Sequence, residues 1–273
     1  SDPLTLTVNN TATVAQGKAI AVATSAATVD LSAGGVTDDL SNLRDGTSIH
    51  ADLTTIKSKD ADIIVTINTV TLSSAAEVSA INSIAGSLSG ANRLKGTVTG
   101  TLALLDDLNA HSSLVNLDLT VSDATIASGS ISNLNTVMAG TTGTVTATMA
   151  SMTSGNLTSL STSDNQVSMT VSNKPGVEAI SGLVDRTNAT ITFGDDITHS
   201  ALDYFNFTDN LGNGAYSTTA TDNRNTNWIN IGANSTASAS NTKATLAWAA
   251  GKKLTFEYTT NNSSNFKRFV GYI

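Results

Sequence analysis

Apolar and polar residues alternate in short runs that return along most of this chain. Val65 to Asn68, Gly96 to Thr101, Leu117 to Val121, Gly143 to Thr148, Val167 to Val171 and Thr190 to Phe193 each place Thr, Ser, Asp or Asn between aliphatic or β-branched residues. Period-two alternation of β-branched residues predicts a strand with one apolar and one polar face. From Val98 onward the runs return roughly every 22 to 26 residues, the range of stacked structural repeats. Between them lie apolar pairs three apart: Ile81/Ile84, Leu105/Leu108, Ile131/Leu134, Leu157/Leu160 and Ile180/Leu183. Three-residue spacing puts both side chains on one face of a short helix or 3₁₀ turn, and the small residues around them predict about two turns. At the third pair, Leu134/Val137 serves as well.

A strand and a short helix in about 24 residues cannot bury an apolar face alone, whereas stacked copies can. The pattern therefore predicts a mainly β fold: a solenoid of stacked strand–short-helix repeats over residues 61–192. Residues 1–60 are less regular and read as an N-terminal cap or divergent first coils. A strand is expected over Pro3 to Asn9 and one or two more over Ala19 to Leu31. Leu40/Leu43 and Leu53/Ile56 repeat the helical pair. Leu4 to Val8 is also a candidate for pairing with a neighbouring subunit as an added strand.

The pattern changes at Phe193, the first aromatic residue; all twelve aromatics lie from there to Tyr272. Candidate strands after it are Ala201–Thr208, Trp228–Ile231, Thr242–Ala249, Leu254–Thr259 and Phe266–Ile273, set between Asn/Gly/Asp loops. Residues 193–273 are expected to form a small aromatic-rich β-sandwich or barrel unit that also caps the repeats. Narrow coils would suit Val, Ile, Leu and Ala better than rings. The four Met (Met138, Met149, Met152, Met169) read as core filling.

Composition narrows the class. Hydrophobic residues make up 40% and charged ones only 13%, which predicts a folded chain with a hydroxyl- and amide-rich surface. The net charge of −8 lies wholly before Phe193 and disfavours nucleic acid, which needs clustered Lys and Arg. Lys252-Lys253 and Lys267-Arg268 read as solvated strand ends. The chain has no Cys, so disulfides, thiolate metal sites and a Cys nucleophile are excluded. No stretch approaches the ~20 apolar residues of a membrane span. The opening Ser1-Asp2-Pro3 reads as a processed or excised fragment, and the Asn-x-Ser/Thr sequons read as chance in so Asn/Ser/Thr-rich a chain.

Candidate chemistry is thin. His50, His111 and His199 have no partner spacing of a zinc site or a triad, and read as ordinary surface histidines. No arrangement of Asp38-Asp39, Asp106-Asp107 and Asp195-Asp196 sets one carboxylate opposite another, so no enzyme is expected. For calcium, Asp209, Asn210 and Asn213 offer oxygen ligands in a Gly-turned loop. Asp195 and Asp196, and Asp38-Asp39 with Asp45, are weaker candidates. Tyr216, Trp228 and Trp248 would form a receptor or glycan platform if exposed. Thr97/Thr99/Thr101 and Thr144/Thr146/Thr148 would face outward as a Thr ladder such as ice-binding solenoids carry. Asn68, Asp118, Ser122 and Ser168 interrupt it, and Thr is in any case a favoured exposed strand residue.

The run Ile131-Ser132-Asn133-Leu134-Asn135-Thr136-Val137, then Thr141-Thr142-Gly143-Thr144-Val145-Thr146-Ala147-Thr148, resembles repeats of bacterial surface-layer, haemolysin-type and adhesin-like exported proteins. The likeness covers about four units, from Gly96 to Asn173. It implies an extracellular or cell-surface, non-enzymatic, often calcium-associated protein. This chain lacks the calcium-binding nonapeptides of such proteins. The expected function is that of a structural protein self-assembling with copies of itself into a surface layer, filament or sheath. The alternative is an adhesin or viral tail-fibre protein, located on the virion, that binds a receptor or glycan through its aromatic C-terminal part.

Overall fold

The computed structural model describes residues 5–23, 28–31, 34–108, 115–163, 165–173, 175, 182–183, 186–194, 197–200, 245–248, 254–259 and 266–271. The chain divides into two compact units, residues 1–123 with 133–146, and 124–132 with 147–273.

The first unit opens with β1 (Thr5–Thr7), α1 (Val14–Ala23), β2 (Thr28–Asp30), β3 (Val36–Asp38) and α2 (Leu40–Leu43). A hairpin of β4 (Arg44–Asp45) and β5 (Ser48–Ile49) leads to α3 (Ala51–Lys57). Then β6 (Val65–Thr71), α4 (Ala75–Ser87), β7 (Leu94–Gly100), α5 (Leu102–Asp106) and β8 (Val115–Val121) alternate. α6 (Ile131–Ala139) and β9 (Val145–Met152) have residues in both units. The second unit continues with α7 (Ser154–Leu157), β10 (Gln166–Val171), β11 (Thr190–Phe193), β12 (Ile197–Ser200), β13 (Thr245–Trp248), β14 (Leu254–Thr259) and β15 (Phe266–Gly271).

Seven strands, β3 and β6 to β11, form one all-parallel sheet, and β13 adds to β11 as an eighth. Strands alternate with helices, so the fold is α/β, of the Rossmann-like or flavodoxin-like kind. This corrects the expected mainly β solenoid. The cause lies in the segments between strands. α4 runs 13 residues, not two turns, and buries Val78, Ile81, Ile84 and Ala85 along one stripe. Its start is fixed by a capping box in which the Glu77 carboxylate accepts from the Ser73 and Ser74 amides. Such helices supply a layer that covers the sheet's apolar face, as parallel crossovers do. The strand order follows the chain order, so the sheet lacks the order reversal at which doubly wound folds bind ligands.

Each of the six alternating runs lies on a strand over most of its length, with Thr101 falling after β7 and Gly143 and Thr144 before β9, and buried aliphatics alternate with accessible polar residues along most of each strand. Leu53, Ile56, Ile67, Ile81, Ile84 and Leu94 are at most 1% exposed and form the heart of the first unit's core. All four Met are buried. Of the one or two strands expected over Ala19 to Leu31, β2 is there, whereas residues 14–23 form α1. Thr13 and Gln16 form a second capping box there, Thr13 Oγ1 accepting from the Gln16 amide at 3.2 Å and Gln16 Oε1 from the Thr13 amide at 3.0 Å.

The expected sandwich or barrel after Phe193 is also corrected. Among the described residues, β13 pairs parallel with β11, Thr190 opposite Thr245, Ile191 opposite Leu246 and Phe193 opposite Trp248. The alternation of Thr-Ile-Thr-Phe is matched by Thr-Leu-Ala-Trp, so the sheet's own pattern crosses the aromatic boundary. β12, β14 and β15 make a three-stranded sheet, β12 parallel and β15 antiparallel to β14. Ala201–Thr208 and Trp228–Ile231 lie outside the described residues.

Candidate functional site

The polar face of the parallel sheet is built by strand register. Hydrogen-bonded register brings Thr71, Thr99, Thr120 and Thr146 side by side on four consecutive strands. A second row runs Thr37, Thr66, Lys95 and Asn116. Between them Thr97 stands opposite Asp118. Thr71, Asp118, Thr144, Thr146 and Thr148 are exposed, and Thr97, Thr99 and Thr120 are half-buried. Thr101 does not join the array; it caps α5, its hydroxyl accepting from the Leu104 amide. Neighbouring strands lie about 4.8 Å apart and alternate residues about 6.6 Å apart along a strand, so the rows form a grid of hydroxyls broken by Asp118, Lys95 and Asn116.

Backbone locks hold this grid. The Thr141 hydroxyl accepts from the Leu117 and Gly143 amides at 3.1 and 2.9 Å and donates to the Leu117 carbonyl at 2.7 Å. Thr187, 1% exposed, repeats the arrangement, accepting from Val167 and Ala189 and donating to Val167. Side chains beyond one strand also cap the helix of an earlier unit. Asp123 accepts from the Leu102 amide at 2.6 Å and Asn173 from the Ser154 amide at 2.7 Å. Each pins a helix start, where backbone donors otherwise lack partners.

The acidic candidates are spent on similar duties. Asp38 accepts from the Val14 and Asp39 amides and from the Asn42 amide group. Burial opposes its ionisation, but these three hydrogen bonds outweigh it and hold its pKa below the usual value. Asp39 accepts from Asn68 at 2.7 Å and Asp106 from Asn133 at 2.8 Å. Asp45 accepts from the Ala51 amide at 3.1 Å. His50 caps α3, its Nδ1 accepting from the Asp52 amide. Among the described residues no three of His, Cys, Asp and Glu gather as a metal-ligand group. The calcium candidates Asp209, Asn210, Asn213, Asp195 and Asp196 lie outside the described residues, as do Tyr216, Trp228 and His111. Trp248 is placed on β13. No described helix is long and apolar enough to cross a membrane.

Two features stand apart from the sheet face. Asp60 is 4% exposed and accepts from the Leu31 amide at 2.7 Å. Burial pushes its carboxyl pKa up, and the Asp62 and Asp30 carboxylates push the same way, against the lowering effect of the Leu31 bond. The second is the β1–β2 ribbon, a parallel two-stranded sheet separate from the main one. All three residues of β1 are exposed. It lies within the strand expected over Pro3 to Asn9, in the Leu4 to Val8 stretch that is a candidate for pairing with a neighbouring subunit. By contrast, the apolar cavity lined by Ile81, Ala85, Leu105, Leu117, Leu119 and Val137 has about 10 Å³ for a water centre, room for about one water.

No family model matches this chain, and neither a curated protein nor a solved structure matches it.

Proposed function

We propose that this protein is an extracellular structural component that associates with copies of itself in a cell-surface layer, filament or sheath. The observation that carries this reading is the one-sided sheet. Strand after strand buries its aliphatic residues and turns Thr, Ser, Asn and Asp outward in register. A surface made by repetition suits contacts made by repetition. The resemblance of the Gly96 to Asn173 stretch to surface-layer and adhesin-like repeats supports the same reading. Locks such as Thr141 and Thr187 support it further, because a scaffold needs its surface held rigid.

The test is sedimentation velocity and negative-stain electron microscopy of the purified chain over rising concentration, with and without calcium. Concentration-dependent oligomers or ordered arrays are expected. A single monomeric species at the highest attainable concentration under both conditions would overturn the proposal.

A further inference from the structure

We infer that β1 pairs antiparallel with β1 of a second copy, about a two-fold axis through Leu6. The inference rests on the self-association reading and names its contact.

Four observations converge on this edge. Among the described residues, β1 is the outer strand of a two-stranded sheet and is hydrogen-bonded to β2 on one side only. The outward groups can be assigned. The Val8 amide donates to the Asp30 carbonyl, and hydrogen-bonding direction alternates along a strand. Leu6 therefore also turns its N–H and C=O toward β2, and Thr5 and Thr7 turn theirs outward.

The third observation is an unfinished core. Leu6 stands opposite Val29 in the register, so the two side chains share a face. Val29 is 2% exposed, yet Leu6 is 39% exposed, one of two large apolar residues so exposed among those described. The face is covered over β2 and left open over β1.

The fourth is symmetry. A two-fold contact must be self-complementary, and Thr5-Leu6-Thr7 reads the same in both directions. Antiparallel pairing sets Thr5 opposite the partner's Thr7 as hydrogen-bonded pairs, which uses the outward groups. It sets Leu6 opposite Leu6 as a non-hydrogen-bonded pair, where side chains approach most closely. No charged residue lies within β1 to repel the second copy, although charge is a usual guard of exposed edges. A three-residue ladder is small beside a standard interface. Its strength comes from several contacts acting together in an array.

The chain has no Cys, so single cysteines report proximity cleanly. A non-hydrogen-bonded antiparallel pair has a Cα separation within disulfide range. Under mild oxidation at a concentration where the chain associates, Leu6→Cys should form a covalent dimer several-fold more completely than Val22→Cys, a more accessible control on α1. Thr7→Pro removes an outward N–H that β2 does not use. It should leave the circular dichroism unchanged and reduce association several-fold. If the chain associates but Leu6→Cys cross-links no better than Val22→Cys, or folded Thr7→Pro associates as the parent does, this contact is wrong and self-association stands. If the parent is monomeric throughout, both fail.

Discussion

Asp60 and Glu77 are both acidic, yet the fold treats them in opposite ways. Glu77 accepts from the Ser73 and Ser74 amides and lies near Arg44, and its pKa falls below the usual value, the Ser73 backbone bond being the largest cause. Its contribution to stability is present above the ordinary carboxylate range and lost as pH falls through the lowered value. Asp60 has the reverse sign. Burial raises its pKa, so its contribution is fully present below about pH 3.9 and is lost as pH rises through the raised value. Above that raised value the Asp60 charge is buried beside Asp62 and Asp30, and it costs stability. Asp60→Asn keeps an oxygen for the Leu31 amide and removes the charge. It should raise the urea midpoint at pH 7, with the advantage shrinking toward pH 4; a lower midpoint at pH 7 would count against this account. Thr187 is a different case, a buried neutral group whose bonds are all made. Thr187→Val would orphan the Val167 and Ala189 amides and should cost about 1–3 kcal/mol, whereas Thr187→Ser should retain most of the stability; equal losses in urea titrations would place the effect in packing.

At the scale of elements, the strands were legible and so were the positions of α2 to α7, marked by their apolar pairs, but not the length of α4 or the existence of α1. Period-two alternation with β-branched residues names β6 to β11 because each has one buried face, and burial forces the alternation. The helices are short or Ala-rich, so their apolar stripes are thin. In α1, Ala19-Ile20-Ala21-Val22-Ala23 imitates a strand's alternation. What decides for a helix is the Thr13/Gln16 capping box and the helix preference of Ala. The Thr-x-x-Gln spacing was there to be read. Register was beyond reach, because it depends on where the sheet slips. Between β6 and β7 the pairing jumps from Ile67–Gly96 to Val70–Val98, leaving Asn68 and Thr69 against Thr97. Gly96 makes the slip possible: its φ is +138°, and a Cβ there would lie 2.3 Å from the Ile67 carbonyl oxygen. Gly96→Ala should therefore destabilise the first unit by about 1–3 kcal/mol, read as a lower midpoint in urea followed by circular dichroism. An unchanged midpoint would mean that the bulge relaxes without cost. The bulge also brings Thr71, rather than Val70, level with Thr99, so the hydroxyl row owes its continuity to one glycine.

Across the whole molecule, charge sets the conditions under which copies can meet. Residues 1–192 hold 16 acidic and 8 basic side chains, and residues 193–273 hold six of each. Copies that approach through β1 or through the sheet's polar face therefore bring like net charge together. Such repulsion acts over about 30 Å at 0.01 M salt and only about 10 Å at 0.1 M. Contacts built from hydroxyls, backbone groups and Leu6 lose little to screening, so repulsion is the term that salt removes. Self-association should thus strengthen as ionic strength rises, and again as pH falls toward the isoelectric point near 4.6. Sedimentation velocity at fixed protein concentration across a sodium chloride series would measure the first effect. Association that weakens with salt would mean that opposite charges make the contact, against both the hydroxyl grid and the β1 edge. Calcium separates screening from binding when compared with magnesium at matched ionic strength. Equal gains from the two ions would assign the effect to charge alone. A gain confined to calcium would instead require a bound ion, with Asp209, Asn210 and Asn213 the first residues to substitute.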